Sequence, residues 1–256
     1  MNIYVCLKQV PDTEASILIK DGKSVNEANI KWIVNPYDEY AIEEALKLKE
    51  KIPGAAVSAV TLGPARADAV LRTALAMGVD RAVHILAEEY LDFANTAKAL
   101  ANLIRQDSQF GVIFTGKQAI DDDAVQVPLL LAEALAIPAA TQVLTFAYAD
   151  GLVRVEREID EGAREKIEMK VPCLVAAAKG LNSPRYASVM GIMKAKKIEV
   201  RKVSPADLDV RAADNRLQVL KLSVPPEKPQ GKIVPGDATQ AAGELIRLLK
   251  EEAKVL

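Results

Sequence analysis

The side chains best placed to do chemistry lie in Thr115-Gly116-Lys117-Gln118-Ala119-Ile120-Asp121-Asp122-Asp123-Ala124-Val125-Gln126-Val127. The segment follows an apolar run and leads into a helical one, a junction that leaves backbone N–H groups free to meet an anion. Gly116 lets a backbone approach a ligand closely. Lys117 can offset negative charge, while Gln118 and Gln126 can orient polar edges. Three adjacent aspartates oppose a phosphate unless some turn away as caps, so an ordinary capped turn fits the segment equally well. A magnesium ion on these aspartates would need further ligands, and no other ligand cluster is apparent.

A second candidate is Asn182-Ser183-Pro184-Arg185-Tyr186-Ala187-Ser188-Val189-Met190-Gly191-Ile192-Met193-Lys194-Ala195-Lys196-Lys197. Met-rich apolar loops adapt to varied surfaces, and a rim of lysines steers acidic partners. A helix with a solvated basic face is the plainer reading of the same residues.

Composition narrows what these residues can do. The chain has 256 residues, 50% hydrophobic and 27% charged, enough to bury a sizeable core in one to two domains. Lys plus Arg number 33 and Asp plus Glu 35, a net charge of −2 that argues against a general nucleic-acid binder. Aromatics at 4% make stacking platforms for bases an unlikely design. One histidine, His84, and two distant cysteines, Cys6 and Cys173, exclude a disulfide scaffold and remove most zinc sites and His-based triads. His84 sits mid-strand, and both cysteines read as core thiols, although Cys6 also stands near a first-strand end of the kind that abuts ligands. No GxGxxG, Walker A, GxSxG, HExxH or CxxC motif is present. Lys8 interrupts the first apolar run, and Pro128, Glu133 and Pro138 break the stretch from Val127 to Ala140. The expectation is therefore no signal peptide, no membrane insertion, and a cytoplasmic or organelle-matrix location.

The elements that must position these residues alternate in type. Strands are expected over Ile3 to Leu7, Ala56 to Leu62, Ala82 to Leu86 and Gly111 to Thr115. Between them, Asn35 caps a helix that Pro36 opens, with Ile42, Ala45, Leu46 and Lys49 on one face. Gly63-Pro64 starts a second helix, which Gly78 stops. Leu91 to Arg105 and Asp121 to Ala136 read as two more. Strands of near-continuous apolar character fit a parallel sheet covered on both faces, a doubly wound, Rossmann-like α/β fold. A small hairpin is expected about Asp21-Gly22. A larger one runs from Leu144 to Glu158 about Ala149-Asp150-Gly151, with further strands at Arg164 to Met169 and Cys173 to Ala177. After about Val210 an extended stretch, Leu217 to Val224, leads to Pro225, Pro226, Pro229 and Pro235, a stiff, helix-free arm. A last helix, capped by Asp237, carries Leu245, Leu248 and Leu249 on one face. The arm lies either on a partner or on its own domain.

Both candidate segments, with Val5-Cys6-Leu7-Lys8-Gln9-Val10-Pro11-Asp12 and Asn35-Pro36-Tyr37-Asp38-Glu39, resemble the electron transfer flavoprotein β-subunit family. Arg72-Thr73-Ala74-Leu75-Ala76-Met77-Gly78-Val79-Asp80-Arg81 and Val155-Glu156-Arg157-Glu158-Ile159-Asp160 are similar to it as well. The resemblance runs in order from residue 1 to about 200. It implies a heterodimer whose α subunit carries the redox-active FAD, with a β subunit made of a nucleotide-binding domain (1–210) and an arm (211–256) that embraces the partner. It also implies an electron carrier rather than a catalyst in its own right, one that serves acyl-CoA dehydrogenases of fatty-acid β-oxidation and a quinone-linked acceptor.

By the same resemblance, a structural AMP touches Cys6, Asn35, Pro36, Tyr37, Asp38, Leu62, Gly116, Lys117, Gln118, Ala119, Ile120, Asp121, Asp122, Asp123, Ala124, Val125, Gln126 and Val127. A recognition loop with Tyr186, Val189, Met190, Ile192, Met193, Lys194, Lys196 and Lys197 docks on dehydrogenases. Glu158 falls where the family has an acidic residue that helps hold the mobile flavin domain. An electron-bifurcating branch, which binds a second FAD and reacts with NADH, usually reads Ile-Asp-Gly-Asp-Thr-Ala-Gln-Val-Gly-Pro at the nucleotide loop. Here the loop reads Ile120-Asp121-Asp122-Asp123-Ala124-Val125-Gln126-Val127-Pro128, closer to the AMP branch. Ala124-Val125 departs from the family and leaves phosphate contacts to backbone donors.

Overall fold

The computed structural model describes residues 1–226 and 230–256; Pro229 of the arm lies outside the described residues. The chain opens with β1 (Asn2–Leu7), then makes an excursion through β2 (Gln9–Pro11), β3 (Ile19–Lys20), β4 (Ser24–Val25) and β5 (Trp32–Val34). There follow α1 (Pro36–Lys51), β6 (Ala56–Gly63), α2 (Asp68–Met77), β7 (Arg81–Leu86), α3 (Phe93–Ile104), β8 (Phe110–Gly116) and α4 (Val127–Leu135). The second half holds β9 (Ala139–Ala149), β10 (Leu152–Glu158), β11 (Arg164–Lys170), β12 (Cys173–Ala177), α5 (Val189–Ala195), β13 (Val200–Val203) and α6 (Ala238–Glu251).

One nine-stranded sheet, in the order β11-β10-β9-β12-β8-β1-β6-β7-β13, organises the molecule. Strands β9, β12, β8, β1, β6, β7 and β13 are parallel neighbours, and β10 and β11 join antiparallel. Period-two alternation sorts β1 between two cores. Ile3, Val5 and Leu7 pack with α1 and α2, and Tyr4 and Cys6 with α3 and α4. The sheet is thus wound on both faces, as its apolar strands require. From β1 the chain winds through β6 to β7, then returns to place β8 on the other flank of β1. That reversal creates a crevice at the carboxyl ends of β1 and β8, the position where doubly wound folds place ligands.

Several local signals act as expected. Gly78 closes α2 at φ 123°, and Asp150-Gly151, at φ 51° and 78°, makes the two-residue turn that suits a hairpin. Asp237 and Gln240 form a reciprocal capping box on α6. His84 is buried, with Nε2 3.0 Å from the Gly63 carbonyl oxygen, a structural role.

The main correction falls on the helix expected over Asp121 to Ala136. It begins only at Val127, because Asp123 (φ 48°) and Val125 (φ 56°) take left-handed conformations that a right-handed helix cannot include. Gly63-Pro64 leads first into a short 3-10 turn, Ala65–Ala67, before α2. Strand β13 was not anticipated: its two buried valines flank the exposed pair Arg201-Lys202 and so break the alternation, just after a basic run.

Asp92 anchors the start of the arm. It caps α3 by accepting from the Asn95 amide (2.9 Å) and also accepts from the amides of Arg216 and Leu217. Asn215 accepts from the Asp92 amide at 3.0 Å and donates to the Tyr90 carbonyl at 2.7 Å. Beyond this knot α6 has no buried residue, and Leu245 and Ile246 stand exposed.

Candidate functional site

Asp38 is the centre of the crevice. Its place in the first turn of α1 suits the helix dipole. One oxygen accepts from the Lys8 amide at 2.7 Å, and the other from the Gly116 amide (3.0 Å) and Asn35 Nδ2 (2.9 Å). The carboxyl group thus ties the ends of β1 and β8 to α1. Burial pushes it up to about 7, against the pull of these three donors and the Lys8 charge.

Asn35 holds the expected cap position but makes no side-chain cap bond. Its amide instead crosses to the loop after β8: Nδ2 donates to the Gln118 carbonyl at 2.9 Å, and Oδ1 accepts from the Ile120 amide at 3.2 Å. Gly116 also serves a purpose other than the expected one. A Cβ there would stand 2.4 Å from Asp38 Oδ1 and 2.7 Å from Tyr37 Cβ, so the close approach is to α1. Pro36 opens the helix, and the Lys117 ammonium sits 5.2 Å from the centre of the Tyr37 ring.

The three aspartates divide their roles. Lys8 Nζ bridges Asp121 (2.8 Å) and Asp122 (2.7 Å). Burial works against the lysine charge, but the two carboxylates outweigh it and raise its pKa. Asp122 also accepts from the Ala124 amide at 3.0 Å. Asp123 accepts from the Gln118 side chain, and its amide donates to the Ala119 carbonyl at 2.9 Å. Among the described residues, no three acidic, thiol or imidazole groups form a metal cage. Val125 is a β-branched residue at positive φ, a strained conformation. Among the described residues, the amides of Val125, Gln126 and Val127 donate to no partner, leaving open donors at the start of α4.

The structure therefore brings Cys6, Asn35, Pro36, Tyr37, Asp38 and the whole of Gly116 to Val127 to one end of the sheet. Leu62 lies at the same edge, one strand farther on β6, and packs into the α3–α4 core. Cys6 is buried, and burial with the Asp38 charge pushes its thiol up to about 12, which keeps it protonated. Cys173 is likewise buried. Lys8 joins the crevice without having been singled out as a site residue; a lone cation at the end of an apolar strand was its only signal.

The second candidate segment is built differently. Ser188 caps α5 by accepting from the Gly191 amide at 2.9 Å. Arg72 of α2 holds its end through the carbonyls of Ala195 (2.8 Å) and Ile198 (2.7 Å). A Cβ at Gly191 would meet the Ala76 carbonyl, so α5 lies hard against α2. On the outer face Tyr186 is 97% exposed, Met190 82% and Val189 76%, and Ile192 and Met193 are also exposed. Lys194, Lys196 and Lys197 are exposed beside them. Glu158 is exposed at the end of β10, opposite Arg164, in the hairpin layer rather than with α5.

A nine-stranded doubly wound sheet with a polar crevice at its reversal point defines an α/β protein of the ligand-holding kind. Residues 23–208 match the electron transfer flavoprotein domain. The chain is 43% identical over 260 residues to the electron transfer flavoprotein subunit beta of Bacillus subtilis (strain 168), covering 100% of both. It is 39% identical over 262 residues to the mitochondrial subunit beta of Oryza sativa subsp. indica, again covering 100% of both chains. With the Dictyostelium discoideum subunit beta it shares 36% over 256 residues, 100% of this chain and 99% of that one. The chain belongs to the electron transfer flavoprotein family, among its beta subunits. Among the described residues, no helix is long and apolar enough to cross a membrane.

Proposed function

We propose that this chain pairs with an electron transfer flavoprotein alpha subunit and that the switch-point crevice holds AMP in a structural role. The pair accepts electrons from acyl-CoA and other dehydrogenases and passes them to a quinone-linked acceptor, in the bacterial cytoplasm or the mitochondrial matrix. FAD, held mainly by the alpha subunit, supplies the redox chemistry; this chain positions, encloses and selects partners. Residues 1–210 form the nucleotide-binding domain, and 211–256 the arm that packs on the partner. The α5 face, with Glu158 on the hairpin layer, serves docking and retention of the flavin domain.

The observation that carries the AMP reading is the loop chemistry. The open amides of Val125, Gln126 and Val127, with the Lys117 cation, suit a single phosphate. Lys8 neutralises the aspartates that would otherwise repel it. The loop sequence, with Asp122 where the bifurcating branch usually has glycine, also favours AMP over a second FAD. Extraction of nucleotides from the purified heterodimer, identified by mass spectrometry, tests this. One FAD and one AMP are expected; two FAD would overturn the AMP reading, and a colourless, partnerless chain the whole proposal.

A further inference from the structure

At the opposite end of the strands from the proposed nucleotide site lies a cleft of about 370 Å³. Parallel register sets Tyr4 of β1 beside Ser58 of β6, and Ser58 beside Arg81 of β7. Tyr4, Val60, Val83 and Val203 pack on the α3–α4 side. Strand alternation therefore places Ser58, Arg81 and Arg201 on that side too. Arg81 and Arg201 are exposed at the start of β7 and on the edge strand β13, and the buried Ser58 hydroxyl stands behind them on β6, so three neighbouring strands line one wall with hydroxyl and guanidinium groups. Leu103 and Ile198 add apolar wall, and Gln106 and Asp107 at the end of α3 close the side.

Two of the three carboxylates lining the cleft are tied elsewhere, although Asp107, held by neutral donors, keeps a charge that Arg81 stabilises. Asp107 accepts from Asn2 (2.7 Å), Tyr4 (2.9 Å) and the Gln109 amide (2.9 Å). Asp80 pairs with Lys49 at 2.6 Å and accepts from the Val57 amide at 2.9 Å. Glu199 remains, exposed on the rim. Among the described residues, neither Arg81 nor Arg201 has an ion-pair partner, and Arg201 meets only Gln106 at 3.4 Å. Ser58 is almost wholly buried, yet its hydroxyl bonds to no described residue.

We propose that this cleft binds a small organic oxyanion, a carboxylate or phosphomonoester on a short apolar stem, between Arg81 and Arg201. Forked guanidinium donors match either head group. The Ser58 hydroxyl adds a donor at the floor, and Val83, Leu103 and Ile198 receive the stem. The volume lies at the small end of ligand sites. The site does not depend on the AMP reading.

Phenyl phosphate and benzoate, titrated calorimetrically into the full chain at low salt, test the assignment. Saturable binding of at least one probe is expected, and the tighter of the two identifies the head group. Arg81→Gln or Arg201→Gln should weaken it about tenfold, and Ser58→Ala about threefold. Arg81→Lys, which keeps the charge and loses the fork, should fall between. Arg154→Gln on the hairpin should leave it unchanged, and melting curves establish that each variant is folded. Absence of saturable binding by either probe, or binding that survives both arginine substitutions, would overturn the proposal.

Discussion

The crevice at the ends of β1 and β8 and the outer face of α5 are opposites. In the first, polar side chains satisfy one another: Asp38 takes three donors, Asn35 joins two segments, and Lys8 clasps two carboxylates. In the second, large apolar side chains stand in water with nothing over them. A set of polar groups already ordered suits a small ligand, because little is left to organise on binding. Exposed methionines and a valine beside lysines suit a protein surface, since their packing is completed only by a partner. The two regions thus differ in what they leave incomplete, open amides in one place and uncovered apolar area in the other, which is the division the proposed holding and docking roles would need.

Gly116→Ala should break the contrast most severely. The new Cβ collides with Asp38 and Tyr37, and a loss of about 3 kcal/mol is expected in urea unfolding. A loss below about 1 kcal/mol would mean that the crevice is looser than its contacts imply. Asp38→Asn comes next and is read through pH. The native carboxyl titrates near 7 and the unfolded one in the ordinary range, so between those values the native state holds the extra proton. Stability of the unsubstituted protein, relative to the variant, should therefore fall by about 2 kcal/mol from pH 5 to 7 and flatten above. Denaturation at pH 5, 6, 7 and 8 measures this, and a rise over the same range would show that the three donors dominate.

Lys8→Met should cost about 1 kcal/mol, since its ion pairs are partly exposed. It should also weaken AMP about fivefold by leaving two carboxylates near the phosphate, as a nucleotide titration would register. Val189→Ala is the mildest in stability, within about 0.5 kcal/mol. It should slow electron transfer from a dehydrogenase with flavin and AMP content unchanged; lost nucleotide would join the two regions that the comparison keeps apart.

The parallel strands were legible because burial on both faces demands continuous apolar runs, and Ile3 to Leu7 or Cys173 to Ala177 has no other easy home. Pro36, Gly78 and Asp237 marked helix ends through chemistry that acts within one turn. The start of α4 was not legible. No residue type there forbids a helix from Asp121: the break is left-handed backbone at Asp123 and Val125, where no glycine announces it, and the residues that hold the loop, Lys8 and Asn35, are far away in the chain. For the same reason the positions in the crevice were foreseen while their tasks were not: Asn35 resembles a cap and is a cross-brace, and Gly116 resembles a ligand floor and is a packing contact.

The knot at Asp92 fixes the root of the arm to the front of α3, whereas nothing in α6 is buried against the rest of the chain. Arm and domain are therefore mechanically unequal. Between α6 and that knot the Leu222 amide donates to the Gly22 carbonyl at 2.7 Å, so a pull on the tip meets the turn between β3 and β4 first and Asp92 next, not the main sheet. In the assembly proposed above, a load from a partner on the arm would therefore reach the β3–β4 turn and the Asp92 knot before any strand of the nine-stranded sheet.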